Sequence, residues 1–208
     1  MQARVFLVDD DDAVRDALSR LFAGAGLPVT ACADGPELLA ACEPEQPGCI
    51  VLDLDLPGMN GLQIQAELQA RSIGLPIIFL SGKGSVASTA SALKAGAFDF
   101  VEKPIEGRVL VALARDAILA DAACREHAAR RSETQSRLAQ LTAREREVVG
   151  LALDGLANKQ IAARLGISHR TVEIHRSRVL RKMGVSSLLE LDRMLAGGDP
   201  GAASMRYQ

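Results

Sequence analysis

The stretch CIVLDLDLPGMNG (49–61) runs four apolar residues straight into Asp53 and then, past Asp55, into a Pro-Gly turn. Three other stretches share the plan: VFLVDDDD (5–12) ends on Asp9 and Asp10, PIIFLSGKGS (76–85) reaches Ser81, and AFDFVEKP (97–104) reaches Lys103. A short apolar run closed by polar or turn residues is the pattern of a parallel strand buried on both faces. Ligands of an open α/β sheet bind beyond the carboxyl ends of its strands, so Asp9, Asp10, Asp53, Ser81 and Lys103 are expected to converge. Three carboxylates, a hydroxyl and an amine in one place suit Mg²⁺, a phosphoryl group and a balancing cation. A lone Asp after a strand is ordinarily a turn residue or helix cap; the convergence of five such residues points to chemistry.

In that chemistry Asp53 accepts a phosphoryl group as a carboxylate nucleophile. Asp10 ligates Mg²⁺ together with Asp53, and Asp9 holds a metal-bound water or completes the shell. Lys103 pairs with one phosphoryl oxygen, and the Ser81 hydroxyl donates to another.

The rest of the first 120 residues alternates strand and helix signals, which predicts a parallel sheet wound on both faces. Ala13, Val14, Ala17, Leu18, Leu21 and Phe22 recur at helical spacing, and Gly24 and Gly26 close that helix. Pro28 to Ala31 reads as a short strand, Gly35–Pro36 opens a helix, and Leu62 to Leu68 continues as another after the turn at 57–61. A further helix ends near Ala95–Gly96. From Gly107 to Gln140 there is no strand signal; Val109, Leu110, Leu113, Ala117 and Ile118 form a stripe that fades at Asp121. Strong helix formers follow, so the last sheet-packing helix is expected to run on as a solvated helical linker, with a disordered linker as the alternative.

At 48% apolar and 3% aromatic residues, the cores are aliphatic. No window approaches eighteen apolar residues and no signal-peptide pattern opens the chain, so a cytoplasmic protein without a membrane partner is expected. Cys32, Cys42, Cys49 and Cys124 lack metal-ligand spacing and read as reduced thiols, mostly buried. The net charge of −2 hides an asymmetry: residues 1–120 carry nine Lys and Arg against sixteen Asp and Glu, while residues 121–208 carry fifteen against ten. An acidic half followed by a basic one suits a metal- or phosphate-handling module joined to a binder of polyanions.

The basic half reads as four punctuated helices. Thr142-x-x-Glu145 is a capping box with Gly155 after its helix; Asn158 caps a helix closed by Gly166; Ser168 caps one closed by Gly184; Ser187-x-x-Glu190 is a second box. The final residues from 198 read as a disordered tail. The Gly166-Ile167-Ser168 turn and its flanking helices match a helix-turn-helix. Val172, Val179 and Met183 face inward on the second helix, leaving Arg170, Ile174, Ser177, Arg178 and Arg181 outward to fit a DNA major groove.

These strings, with KAGAFDFVEKP (94–104), LTAREREV (141–148) and NKQIAARLGISHRTVEIHRSRVLRKMGV (158–185), resemble the two-component response regulators of the FixJ/NarL (LuxR-type) family, and their layout is most similar to the FixJ subgroup. The resemblance implies a receiver domain over 1–120 with flavodoxin-like strand order 2-1-3-4-5, a helical linker over 121–137, and an all-α four-helix DNA-binding domain over 138–197. It implies a phosphoacceptor at Asp53, Mg²⁺ or Mn²⁺ held by Asp9, Asp10, Asp53 and the Asp55 backbone carbonyl, and phosphoryl-sensing roles for Ser81 and Lys103. A cis Lys103–Pro104 bond and a switch aromatic at Phe100 follow from the same match. By resemblance Glu173, Ile174, Ser177 and Arg178 meet bases, while Lys159, Arg170, Thr171, His175, Arg181 and the amides at Ser168 meet phosphates. The implied partners are a sensor histidine kinase, double-stranded promoter DNA, RNA polymerase and, on phosphorylation, a second copy of the chain. The helix and strand over about 86–101 would form the receiver's dimer face, and the Ser187–Leu195 helix a DNA-bound contact.

Three positions depart from the family pattern: Ser81 replaces threonine, Lys83 stands at a usual histidine, and Asp55 is acidic where relatives carry arginine. Asp55 and Lys83 are therefore expected to tune loss of the phosphoryl group. Asp53-Leu54-Asp55 is also similar to the paired aspartates of haloacid-dehalogenase-type phosphatases. That reading fails because those acids follow a first strand and lack Pro57, so no enzyme activity is expected beyond self-phosphorylation and autodephosphorylation at Asp53. The alternative is a phosphorylation-independent DNA-binding regulator with a structural receiver fold.

Overall fold

The structure, a computed structural model, describes residues 2–82 and 96–196. Residues 83–95, with Lys83 and most of the expected dimer face, lie outside that range, as do residue 197 and the expected tail over 198–208. The chain divides into two compact units, Met1–Cys124 and Arg125–Gln208.

In the first unit five parallel strands, β1 (Arg4–Val8), β2 (Val29–Cys32), β3 (Gly48–Asp53), β4 (Ile77–Ser81) and β5 (Asp99–Glu102), lie in the order 2-1-3-4-5. The apolar runs are continuous because both sheet faces are covered. Side chains alternate between the faces. Phe6, Val8, Ile50, Leu52 and Phe79 enter the core beneath α2 (Gly35–Ala41) and α3 (Gly61–Ala70), where Leu38, Leu39, Ile64 and Leu68 meet them. Val5, Leu7, Cys49, Val51, Ile78 and Leu80 point the other way, to Phe22 of α1 (Asp12–Gly24) and to Leu110, Ala114 and Ala117 of α4 (Gly107–Ala139). Every residue of β3 is buried, as befits the central strand. Burial pushes the Cys32 thiol up to about 11, and those of Cys42 and Cys49 up to about 12, so all three stay protonated and behave as small apolar groups. Cys124 is exposed.

Helix α4 is the predicted continuous helix. Past Cys124 it carries the pairs Glu126–Arg130 and Glu133–Arg137 at helical spacing, which support a helix surrounded by water. Its buried side differs from expectation. Leu110 and Ala117 are buried and Leu113 and Ile118 pack partly buried as expected, but Val109 is 44% exposed, and the buried face also takes Ala114 and Asp121, which is 4% exposed. Asp121 is buried because its carboxylate accepts the Gly48 N–H at 3.0 Å, where β3 begins. A buried N–H without an acceptor is costly, so the carboxylate is recruited from 73 residues away.

The second unit holds α5 (Ala143–Leu153), α6 (Asn158–Leu165), α7 (His169–Met183) and α8 (Leu188–Ala196) around two small aliphatic clusters. Leu138, at the end of α4, packs on the first of these with Val179, Met183, Leu191 and Leu195. The Thr142–Glu145 capping box forms, and Glu145 is 3% exposed with its Oε2 also accepting Lys182 Nζ at 2.7 Å. Two caps differ from their sequence reading. Asn158 is the first residue of α6, not its cap: its Oδ1 is taken by Arg176 of α7, and Gln160 Oε1 receives the Ala157 N–H at 2.8 Å. Glu190 reaches back to the Ser186 N–H and hydroxyl, both at 2.8 Å, rather than to Ser187; the Ser187 Oγ still accepts the Glu190 N–H.

Removing the Asp121 carboxylate should strand the Gly48 N–H. We expect Asp121→Ala to lower the unfolding free energy of the first unit in urea by about 1–3 kcal/mol, while exposed Asp116→Ala stays within about 0.5 kcal/mol of wild type. Equal effects would contradict the role given to Asp121. The Lys182 ammonium, the Thr142 amide and the Thr142 hydroxyl together hold the Glu145 carboxyl down at about 2 against an ordinary 4.5. A depressed carboxyl stabilises the fold above its unfolded pKa and loses that contribution as pH falls through the folded one. Glu145→Gln should therefore melt below wild type at neutral pH, with the gap closing between about pH 4.5 and about pH 2. A gap independent of pH would refute this assignment.

Candidate functional site

The strand order reverses between β1 and β3, and the five predicted residues meet at that switch point, beyond the carboxyl ends. Asp9 and Asp10 follow β1 directly, Asp53 and Ser81 are the last residues of β3 and β4, and Lys103 follows β5. The main chain ties them together: the Lys103 N–H donates to the Ser81 carbonyl at 2.8 Å, and the Leu54 N–H to Leu80 at 2.9 Å.

Each inner carboxylate has two fixed oxygens. Asp53 Oδ1 accepts the Asp55 N–H at 3.0 Å, and its Oδ2 accepts Lys103 Nζ at 2.6 Å. Asp9 Oδ1 accepts the Asp11 N–H at 3.0 Å, and its Oδ2 accepts the same Nζ at 2.7 Å. Asp9 and Asp53 are buried, whereas Asp10 is exposed. Burial pulls the Lys103 ammonium down, but its hydrogen bonds to Asp53 and Asp9 outweigh this and raise its pKa. The site therefore keeps its cation.

Ligand oxygens of Asp9, Asp10 and Asp53 all lie within 4.8 Å of one another. A hard, oxygen-seeking divalent cation fits that donor set, with one side open to water and to a third group through Asp10. Ser81 is fully buried at the strand end beside Asp53. Phe100 pairs in register with Phe79, their rings 6.4 Å apart, and is partly buried against the sheet core. The Lys103–Pro104 bond is cis, as the resemblance implied. Asp55 is exposed and contributes its amide to Asp53. Gly61 allows the loop after Asp53 to close: a Cβ there would sit 2.8 Å from the Phe79 ring and 3.0 Å from the Asp53 carbonyl.

Sequence reading missed Arg15. Its Nη1 donates to the Asp9 carbonyl at 2.6 Å while its Nη2 pairs with Asp12, so it fixes the turn that presents Asp9 and Asp10. Its signal was only a cation one turn after Asp11, the residue that caps α1.

In the second unit α6 ends on Gly166 in the left-handed region, and Ser168 caps α7, its Oγ accepting the Thr171 N–H at 3.1 Å. Val172, Val179 and Met183 are fully buried, as predicted. Ser168, Arg170, Glu173, Ser177, Arg178 and Arg181 are exposed, as are Lys159 and the apolar Ile174. Thr171 and His175 are half-buried, and His175 Nδ1 is inside without a hydrogen-bond partner among the described residues. Glu173 lies 3.5 Å from His169. Four other cations serve the fold: Arg144 donates to the Leu165 carbonyl at 2.5 Å, Arg176 to Asn158, Lys182 to Glu145 and Arg137 to Met183. Lys159, Arg170, Arg178 and Arg181 have no carboxylate partner among the described residues.

Two family profiles match the chain: "Response regulator receiver domain" over residues 5–115 and "Bacterial regulatory proteins, luxR family" over 139–195. The C4-dicarboxylate transport transcriptional regulatory protein DctR of Rhodobacter capsulatus is 47% identical over 93% of this chain and 100% of its own length. FixJ of Azorhizobium caulinodans is 43% identical, covering 94% of each chain. Among solved structures, the response regulator StyR superposes with a TM-score of 0.86 at 37% identity over 94% of this chain and 99% of that one. Full-length FixJ from B. japonicum gives 0.60 at 35% identity over 95% and 98%. No described helix is long and apolar enough to cross a membrane. Strand order, acidic switch point, helix-turn-helix and these matches together place the chain among the FixJ-like response regulators, transcription factors that join a receiver domain to a luxR-type DNA-binding domain.

Proposed function

We propose that Asp53 accepts a phosphoryl group from a phosphohistidine of a sensor kinase, and that the modified chain binds promoter DNA as a dimer through α7. The observation that carries this reading is the single ammonium of Lys103 shared between Asp53 and Asp9 at the switch point. A carboxylate oxygen of Asp53 attacks phosphorus, the bond from phosphorus to the imidazole nitrogen breaks, and the imidazole leaves as the acyl phosphate forms. The Asp55 amide holds the other oxygen of Asp53 and orients the attack. Asp9, Asp10 and Asp53, with the Asp55 carbonyl, would hold Mg²⁺, which would supply neutralisation of the developing phosphoryl charge. Lys103 turns its ammonium from the carboxylate to a phosphoryl oxygen, the Ser81 hydroxyl donates to another, and Phe100 turns inward as that hydroxyl moves. Asp55 and Lys83 set how fast water removes the group. Activation then favours pairing of receivers, which brings two copies of α7 to inverted half-sites and recruits RNA polymerase.

On DNA, Arg170, Arg181, Lys159, Thr171 and His175 meet phosphates, as do the amides at Ser168. Glu173, Ile174, Ser177 and Arg178 meet base edges. What supports this face of α7 as the one that meets DNA is burial: it is exposed and carries Arg170, Arg178 and Arg181, which no carboxylate has claimed among the described residues.

Incubation with acetyl phosphate and Mg²⁺ should add one phosphoryl group to wild type and none to Asp53→Asn, read by intact mass. Lys103→Ala should slow that addition by about tenfold or more. An adduct on Asp53→Asn would move the phosphoacceptor to another residue, and none on either protein while DNA binding persists would favour the phosphorylation-independent regulator. For DNA, a duplex selected by wild type from a randomised pool serves as probe. Arg170→Ala should weaken binding to every duplex alike and reduce the salt slope by about one, whereas Arg178→Ala should cost about 1–3 kcal/mol on the selected duplex. Equal losses on selected and scrambled duplexes for Arg178→Ala would remove it from the base-reading set.

A further inference from the structure

Within the second unit, two helices end against each other, and each supplies the cation that the other's end requires. In the last turn of α4, Arg137 Nη1 donates to the Met183 carbonyl at the end of α7, at 2.5 Å. In the last turn of α7, Lys182 Nζ donates to the Gln140 carbonyl just past the end of α4, at 3.1 Å. The carbonyls at a helix C-terminus lack intrahelical donors and carry negative partial charge, so each cation answers both needs. Neither cation is loose. Glu133, one turn back on α4, holds the Arg137 guanidinium at 2.6 Å, and the buried Glu145 holds Lys182 at 2.7 Å.

The chain leaves room for this exchange at one residue. Gly184 ends α7 with φ +71°, and its amide satisfies Arg181 while the Val185 amide satisfies Leu180. A Cβ on Gly184 would collide with Arg137 Nη1, so the guanidinium occupies the space that any other side chain would fill. The glycine thus serves both the left-handed backbone and the approach of Arg137 to Met183.

We propose that Arg137 is a positioning residue for DNA reading: it fixes the C-terminal end of α7, and with it the reach of the base-reading Arg178, through the helical state of residues 133–140. The proposal rests on the reading of α7 as the DNA-contacting helix. The opposite half of α7 is already held, because Arg176 pairs with Asn158 on α6 and Ser168 caps the start. Unwinding the last turn of α4 would withdraw Arg137 from Met183 and the Gln140 carbonyl from Lys182 together. Helicity at the end of the linker and order at the end of α7 are therefore one equilibrium, and DNA that favours the ordered α7 must in turn favour the helical linker end.

The test uses the full chain as wild type, Arg137→Ala, Arg137→Lys and Glu133→Ala. The probes are the duplex selected by wild type and a scrambled duplex of the same composition. In Arg137→Ala, amide hydrogen exchange should quicken over 180–185 and stay unchanged over 158–166. The ratio of selected to scrambled affinity should fall roughly fivefold to tenfold, with the scrambled affinity and the salt slope unchanged. Arg137→Lys should restore most of the ratio, and Glu133→Ala, which leaves the guanidinium without its anchor, should fall between; these two carry the comparison if Arg137→Ala does not fold. An unchanged ratio in folded protein overturns the proposal and leaves Arg137 a stabilising cap. Equal losses on both duplexes with a salt slope lower by about one also overturn it and make Arg137 a phosphate contact. Wild type that selects no duplex overturns the DNA reading of α7 itself, which distinguishes that failure from failure of the clamp.

Discussion

One ammonium group faces two buried carboxylates at the point where the sheet reverses direction. Asp9, Asp10 and Asp53 crowd within 4.8 Å, and Lys103 is the charge that makes the crowding tolerable. Like charges at such separations repel strongly away from bulk water, and burying them is unfavourable unless each is paired and hydrogen-bonded. Each inner carboxylate accordingly spends one oxygen on a backbone amide and the other on the ammonium. Well-packed apolar residues would stabilise a sheet end at least as well. A fold that keeps acids there instead keeps a site whose charge changes when a cation or a phosphoryl group arrives.

The same economy of charge organises the second unit. Its basic residues are of two kinds, and sequence alone does not separate them. Arg137, Arg144 and Lys182 donate to carbonyls at helix ends, and Arg176 ties α7 to the Asn158 side chain. Arg170, Arg178 and Arg181 stay on the exposed side of α7, opposite fully buried Val172, Val179 and Met183. A small helical unit has many helix ends for its size, and each end presents unsatisfied groups. Long, flexible cations reach those ends cheaply, so part of the positive charge is consumed by architecture before any polyanion is met.

Legibility in the sequence followed the range of the interaction involved. The strands and their terminal residues were legible because a strand buried on both faces must be apolar throughout, and the polar residue that follows stands out. The stripe Val172, Val179, Met183 was legible for the equivalent helical reason. Asp121 was not: its position continues the buried face of α4, but a carboxylate there reads as the end of the stripe until Gly48 is seen beside it. Asn158 and Glu190 were misread for a related reason. Each has the residue type of a local cap, and each has a better partner, Arg176 in one case and Ser186 in the other.

What the sequence determines by itself is therefore the layout of elements, the parallel sheet, the helix-turn-helix and the identity of the five residues at the strand ends. These depend on periodicity and on short-range stereochemistry, which the order of residues encodes directly. Tertiary structure alone decided which charged side chain answers which group: Lys103 between Asp9 and Asp53, Arg15 on the Asp9 carbonyl, Asp121 on the Gly48 amide, Arg137 on the Met183 carbonyl. These pairs join residues as far apart as 94 positions and as near as six. Their choice is made by where the folded backbone leaves an unsatisfied group, a quantity that does not exist until the chain has closed on itself.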